Sequence, residues 1–127
     1  MTGLYILLGT LLAIAIYWLY NFIQQKRILT VLEQEEFRRG YRKAQLIDVR
    51  EPNEFESGHI LGARNIPLTQ LKMRLKELRK DQPIYLYCQG SSRSGRAAQI
   101  LYKNGYRDLY QLKGGYKNWT GKIKVGN

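Results

Sequence analysis

The sequence predicts an α/β fold, a mostly parallel sheet covered by helices on both faces, preceded by one membrane-crossing helix. Three observations carry this. Short apolar and β-branched runs at 28–32, 44–48, 84–87 and 109–112 alternate with stretches of helical periodicity, which is the pattern of strand–helix units. Ile84-Tyr85-Leu86-Tyr87 is apolar at every position, as a strand covered on both faces must be. Leu4 through Ile23 is a run of 20 residues without a charge, long enough as a helix to cross a hydrocarbon core of ~30 Å.

The apolar run comes first in the chain. Tyr5, Tyr17, Trp18 and Tyr20 lie toward its two ends, where amphipathic rings favour the membrane interface. A cleaved secretory signal needs a positive leader, a shorter apolar core and small residues at the cut. Here only Met1, Thr2 and Gly3 precede the run, and Trp18, Tyr20 and Phe22 close it. An uncleaved single-pass anchor over 4–23 is the expectation, followed by a linker over 24–27. Lys26 and Arg27 stand just past the span, so the positive-inside bias puts the C-terminal domain in the cytoplasm. The single cysteine agrees, because no intramolecular disulfide is possible and a reducing compartment keeps a thiol.

Beyond the linker, Ile28–Leu32 and Ala44–Asp48 read as strands. Glu33–Arg39 between them reads as a short helix, acidic at its start and basic at its end, which suits its dipole. Pro67 can open the next helix, in which Leu68, Leu71, Leu75 and Leu78 recur at helical spacing. Asp81 and Pro83 end it. After the strand at 84–87, a loop of small residues leads into a helix reaching about Asn104, with Ala97, Ala98, Ile100 and Leu101 on its buried side. Gly105 is placed to end that helix in the left-handed region. Leu109–Leu112 is a last strand, Gly114-Gly115 turns into a short helix containing Trp119, and Thr120–Asn127 reads as a polar tail. The domain is bounded at 28–124, with 125–127 beyond it.

The chain carries 21 Lys and Arg against 10 Asp and Glu, a net charge of +11, all of it outside the apolar span. No nucleic-acid recognition motif accompanies the charge, so nucleic acid is not an expected partner. Attraction of a tethered domain to an anionic inner leaflet, attraction of anionic substrates and a plain solvated basic surface each account for it. One Cys and one His cannot close a metal site, and no nucleotide-binding loop is present, so neither metal nor cofactor is expected.

Chemistry concentrates at Cys88. It ends the apolar strand, and in a parallel sheet ligands bind beyond the C-terminal strand ends. Gln89, Gly90, Ser91 and Ser92 form a tight loop whose backbone N–H groups can converge on an anion at a helix start. Arg93, Ser94 and Arg96 follow, and the positive field there should favour thiolate over thiol. Such a cradled thiolate suits attack on a phosphate ester, or attack on sulfane sulfur and retention of the resulting persulfide. An inert cysteine finishing a core strand is the bland alternative.

Four segments taken together resemble one family. Leu46-Ile47-Asp48-Val49-Arg50-Glu51-Pro52-Asn53-Glu54-Phe55 and Gly58-His59-Ile60-Leu61-Gly62-Ala63-Arg64-Asn65-Ile66-Pro67 are similar to the first two signatures of rhodanese domains. Tyr87-Cys88 with Arg93-Ser94 is similar to the active-site loop, and Leu112-Lys113-Gly114-Gly115-Tyr116-Lys117-Asn118-Trp119 to the closing signature. They stand in the family's order and cover roughly 28–124. The resemblance implies a central five-stranded, mostly parallel sheet flanked by helices, and a sulfurtransferase with a persulfide on catalytic Cys88.

In that reading Gln89, Gly90, Ser91, Ser92, Arg93, Ser94 and Arg96 bind the sulfur donor, thiosulfate or a persulfide. Related phosphatases use a longer loop than the six residues from Cys88 to Arg93, so sulfur transfer is favoured over phosphate or arsenate chemistry. Many single-domain members carry a basic residue directly after the cysteine, where this chain has Gln89; that weakens thiosulfate as the preferred donor. With no second cysteine to resolve the persulfide, the acceptor must be external: a small thiol, a thioredoxin-like protein or cyanide. His59 is expected to be structural, Asp48 and Arg50 to form an ion-paired frame, and Tyr116 and Trp119 to pack. The alternative function is a non-catalytic module that tethers a partner, or senses persulfides, at the membrane.

Overall fold

The computed structural model describes residues 1–126, apart from the side chains of residues 24–27. Helix α1 (Thr2–Ile28) runs without a break from the start of the chain through the backbone of the expected linker. Over Thr2–Ile23 it is long and apolar enough to cross a membrane, and none of that stretch is buried against the rest of the chain. The side chains of Gln24, Gln25, Lys26 and Arg27, on which the expected orientation rests, lie outside the described residues.

Five strands form the main sheet: β1 (Thr30–Leu32), β2 (Gln45–Asp48), β4 (Arg64–Asn65), β5 (Ile84–Tyr87) and β6 (Leu109–Leu112). Their order is β1-β6-β5-β2-β4, and every pair is parallel. Side chains alternate between faces at period 2, which splits the apolar residues into two cores. Ile84, Leu86 and Cys88 of the central strand region join Ile47, Leu109, Ala97, Ala98 and Leu101 on one face. Tyr85 and Tyr87 face the other way, among Leu46, Leu112, Phe37, Tyr41 and Trp119. Helix α4 (Ser92–Lys103) covers the first face, and α2 (Gln34–Gly40) covers the second through Phe37. Phe37, Tyr41 and Trp119 stand 6.0–6.2 Å apart, centroid to centroid, within the range of favourable aromatic pairs.

Strands β1, β2, β5 and β6 and helix α4 fall where the sequence places them, whereas the two-residue β4 was not anticipated; Gly105 ends α4 at φ +97°. Three elements differ from expectation. The leucine-rich segment is not an α-helix but two 3₁₀ stretches, Leu68–Met73 and Leu75–Glu77, broken at Arg74. The carbonyls of Leu75 and Leu78 both accept from the Tyr106 hydroxyl, at 2.7 and 3.1 Å. That long-range contact supplies a partner that a regular helix would have drawn from its own backbone. Trp119 does not sit inside a final helix; it follows a single 3₁₀ turn, Tyr116–Asn118.

The stretch from Thr120 is no tail. Strand β7 (Ile123–Lys124) pairs antiparallel with β3 (His59–Ile60), and Gly126 N–H donates to the Glu56 carbonyl at 2.8 Å. Two residues are too few for a period-2 pattern to register in sequence, and this pairing crosses about half the chain. The resemblance also left a helix unnoticed. Helix α3 (Pro52–Ser57) starts with proline at its first turn, and Glu51 N–H donates to Glu54 Oε1 at 3.1 Å.

Candidate functional site

Cys88 follows β5 directly, and its loop connects the central strand to the N-terminus of α4. The residue is 1% exposed. Its Sγ accepts the backbone N–H of Ser94 at 3.4 Å and lies 3.4 Å from the Ser94 hydroxyl. Ser91 is the N-cap residue of α4 but makes no side-chain capping bond. The cysteine sulfur therefore occupies the place of the cap, receiving the third N–H of a helix start, where partial positive charge is highest.

The loop's carbonyls are tied down on the opposite side. Tyr116 N–H donates to Cys88 O at 2.9 Å, and Lys117 N–H donates to Gln89 O at 3.2 Å. Gly115, at φ +69°, packs against these oxygens; a Cβ there would collide with the carbonyls of Gly90, Gln89 and Cys88. Since a trans peptide points its N–H away from its C=O, this anchorage turns the N–H groups of Gln89 and Gly90 away from the closing segment. No cis peptide occurs among the described residues. A Cβ at Gly90 would meet nothing within 4 Å, so the loop is open to incoming groups at that point.

The predicted binding residues divide. Ser94 touches the sulfur directly. Arg93 turns toward α3, where its two terminal nitrogens meet the Glu54 carboxylate at 2.6 and 3.0 Å. That bidentate bond holds Glu54 well below the usual carboxylate range, at about 2, because the guanidinium stabilises its ionised form. Gln89 is exposed, and its Oε1 accepts from Arg50 Nη1 at 3.0 Å. Ser91 and Ser92 are exposed on the loop, and Arg96 is exposed beside them along a groove that also includes Gly95.

The frame beneath the loop is as the sequence suggests. Asp48 and Arg50 are 0% and 2% exposed. Arg50 Nη2 meets Asp48 Oδ2 at 2.8 Å, and Arg50 Nε lies 3.1 Å from both carboxylate oxygens. The same guanidinium donates to Gly58 O at 2.6 Å and stands 4.2 Å over the Tyr116 ring. One buried ion pair thus joins β2, the C-cap of α3, the Cys88 loop and the closing segment, with all three guanidinium nitrogens hydrogen-bonded. His59 is 2% exposed; its Nδ1 lies 2.8 Å from Phe55 O, and its ring stacks on Phe55 at 3.6 Å. That is a structural histidine.

Two contributors escaped sequence reasoning. One is Glu54, hidden inside a signature otherwise read for its fold. The other is Gln111 on β6, 5% exposed, on the α4 face between Leu109 and the loop. Its Nε2 donates to Ser94 Oγ at 2.6 Å and to Ser91 O at 2.9 Å. The available signal was a lone amide at an inward position of an apolar strand, which must find partners when buried.

Comparison with known proteins agrees with this geometry. The family model described as a rhodanese-like domain matches residues 18–122. The chain is 66% identical over 113 residues to the uncharacterized protein YqhL of Bacillus subtilis (strain 168), covering 89% of this chain and 90% of that protein. It is 38% identical over 79 residues to YrkF of the same organism, a proposed sulfur carrier protein, covering 62% of this chain and 43% of YrkF. The crystal structure of a thiosulfate sulfurtransferase from Pseudomonas aeruginosa superposes with a TM-score of 0.67 at 32% identity, over 76% of this chain and 20% of that one. With its parallel sheet, its strand-end cysteine and this breadth of match, the chain belongs to the rhodanese-like domain family.

Proposed function

We propose that this protein is a membrane-anchored sulfurtransferase that carries a sulfane sulfur on Cys88. The observation behind the reading is the position of the Cys88 sulfur as acceptor for the Ser94 N–H at the start of α4. A thiolate there is stabilised by the helix dipole and by the loop N–H groups, and the same donors can hold a terminal persulfide anion. In the forward half-reaction the thiolate attacks the sulfane sulfur of thiosulfate or of a persulfide. A bond forms between Sγ and that sulfur, and sulfite or a thiolate leaves with the bonding pair. An external thiol or cyanide then takes the outer sulfur and restores Cys88.

Helix α1 anchors the domain, and Lys26 with Arg27 places it on the cytoplasmic side, where reduced thiols serve as acceptors. The strongly basic domain surface adds attraction to an anionic leaflet.

The test is mass spectrometry of the 127-residue chain in detergent after exposure to thiosulfate or an alkyl persulfide. Cys88 should gain one sulfur atom, cyanide should remove it, and Cys88→Ser should gain none. An unchanged mass with every sulfane donor, in folded protein, would sink the reading. The near-complete burial of Cys88 favours one other reading, a persulfide sensor that loads once without turnover. Multiple turnovers with thiol acceptors would exclude it.

A further inference from the structure

A dianionic donor approaching Cys88 needs positive charge, and two arginines of the site, Arg50 and Arg93, are already committed. Arg50 spends its guanidinium on Asp48, the Gly58 carbonyl and Gln89. Gln89 itself offers only a neutral amide. Arg93, the one side-chain cation among residues 88–94, is forked onto Glu54. Glu54 is in turn held in place by the Glu51 N–H. The pair is about two-thirds buried, with side-chain exposures of 30% and 31%, so it sits at the rim of the site rather than dissolved in solvent. Arg50 and Arg93 are each matched by a carboxylate, and an ionised Cys88 leaves this set of five groups with one net negative charge.

We propose that Glu54 is a specificity-determining residue that biases Cys88 toward weakly charged sulfane donors, alkyl persulfides, and against dianionic thiosulfate. The inference rests on the reading of Cys88 as a sulfur carrier. In the favoured step the Cys88 thiolate attacks the outer sulfur of R–S–SH. The Cys88–sulfur bond forms, the R–S to S bond breaks, and RS⁻ leaves with the electron pair and accepts the persulfide proton. No other oxidant or reductant is needed. With thiosulfate the same bond change expels sulfite, but the donor must bring two negative charges to a site where Arg50 and Arg93 are both neutralised. The backbone N–H groups and the exposed Arg96 then oppose that repulsion.

The experiment compares the wild-type chain with Glu54→Gln in detergent. Glutamine keeps an oxygen for the Glu51 N–H and for Arg93 while removing the charge. Two pairs of reagents are used: iodoacetate against iodoacetamide, which read the charge at Cys88 without any sulfur chemistry, and thiosulfate against an uncharged alkyl persulfide. Deleting one nearby charge at an intermediate dielectric should raise the rate with iodoacetate roughly threefold and with thiosulfate roughly tenfold, relative to the neutral partners. Adding Arg93→Ala to Glu54→Gln should remove the gain, because the freed guanidinium is its source. Near-ultraviolet circular dichroism matching the wild type establishes that the variants are folded. Unchanged charged-to-neutral ratios, with both donors still loading Cys88, would overturn the role of Glu54 and leave the sulfur carrier standing. A changed alkylation ratio with no sulfur loaded from either donor would instead overturn the sulfur chemistry, and the donor assignment with it.

Discussion

Gln111 Nε2 stands 2.6 Å from Ser94 Oγ, and Ser94 Oγ stands 3.4 Å from Cys88 Sγ. A side chain of β6 thereby acts on the cysteine through the first turn of α4. The Ser94 hydroxyl has one proton to give, and it lies within reach of both Ser91 O, at 3.1 Å, and the sulfur. Because Gln111 also donates to Ser91 O, that carbonyl keeps a second partner beside the Gly95 N–H when the hydroxyl turns to a thiolate. The amide also polarises the hydroxyl it donates to.

Replacing this amide should therefore slow the cysteine without dismantling the fold. Gln111→Met keeps the length of the side chain and removes both bonds. A net hydrogen bond is worth about 1 kcal/mol, so alkylation of Cys88 by iodoacetamide should slow roughly fivefold. Thermal unfolding should show a loss of about 1–2 kcal/mol. An alkylation rate equal to wild type would mean that Gln111 only fills space.

Gly115→Ala is a harsher change. Its φ of +69° disfavours any side chain, and the Cβ has no room beside the carbonyls of Gly90, Gln89 and Cys88. A loss of about 2–4 kcal/mol in stability is expected, together with loosening of the Cys88 loop. Thermal melts measure the first. Amide hydrogen exchange at Tyr116 and Lys117, whose N–H groups bond Cys88 O and Gln89 O, measures the second. Wild-type protection at those two amides would contradict the clash.

Glu54 gives the stability a dependence on pH. Its folded-state value of about 2 lies below the unfolded reference of 4.5, chiefly through the Arg93 hydrogen bond. A depressed carboxylate contributes stability that is fully present above the unfolded value and is lost as pH falls through the folded one. Denaturation midpoints should therefore decline between about pH 4.5 and pH 2, and decline less steeply in Glu54→Gln, which has no proton to bind. Parallel curves for the two proteins would assign the acid sensitivity to other carboxylates.

The proposed anchoring through α1 makes a topological prediction. In intact cells a membrane-impermeant protease should leave the C-terminal domain whole and digest it only after permeabilisation, because Lys26 and Arg27 follow the apolar span. Digestion in intact cells would reverse the orientation and require an extracytoplasmic sulfur acceptor.

Local pattern in the sequence determined much of this protein. An all-apolar run specified β5, an uncharged run specified α1, and small residues after Cys88 with Gly105 downstream bounded the loop and α4. These are properties of neighbouring residues, which the periodicities of strand and helix make visible. The tertiary structure decided what depends on residues far apart in the chain. The leucine spacing at 68–78 fits an α-helix, but Tyr106 captures two of the segment's carbonyls from 28 and more residues away. β7 exists because β3 offers it a partner. Arg93 could be read as a cation for the substrate until Glu54, 39 residues earlier in the chain, was seen to hold it. A charge identified in sequence has a sign and an approximate place; only packing fixes which opposite charge it meets, and so whether it is free to bind a ligand.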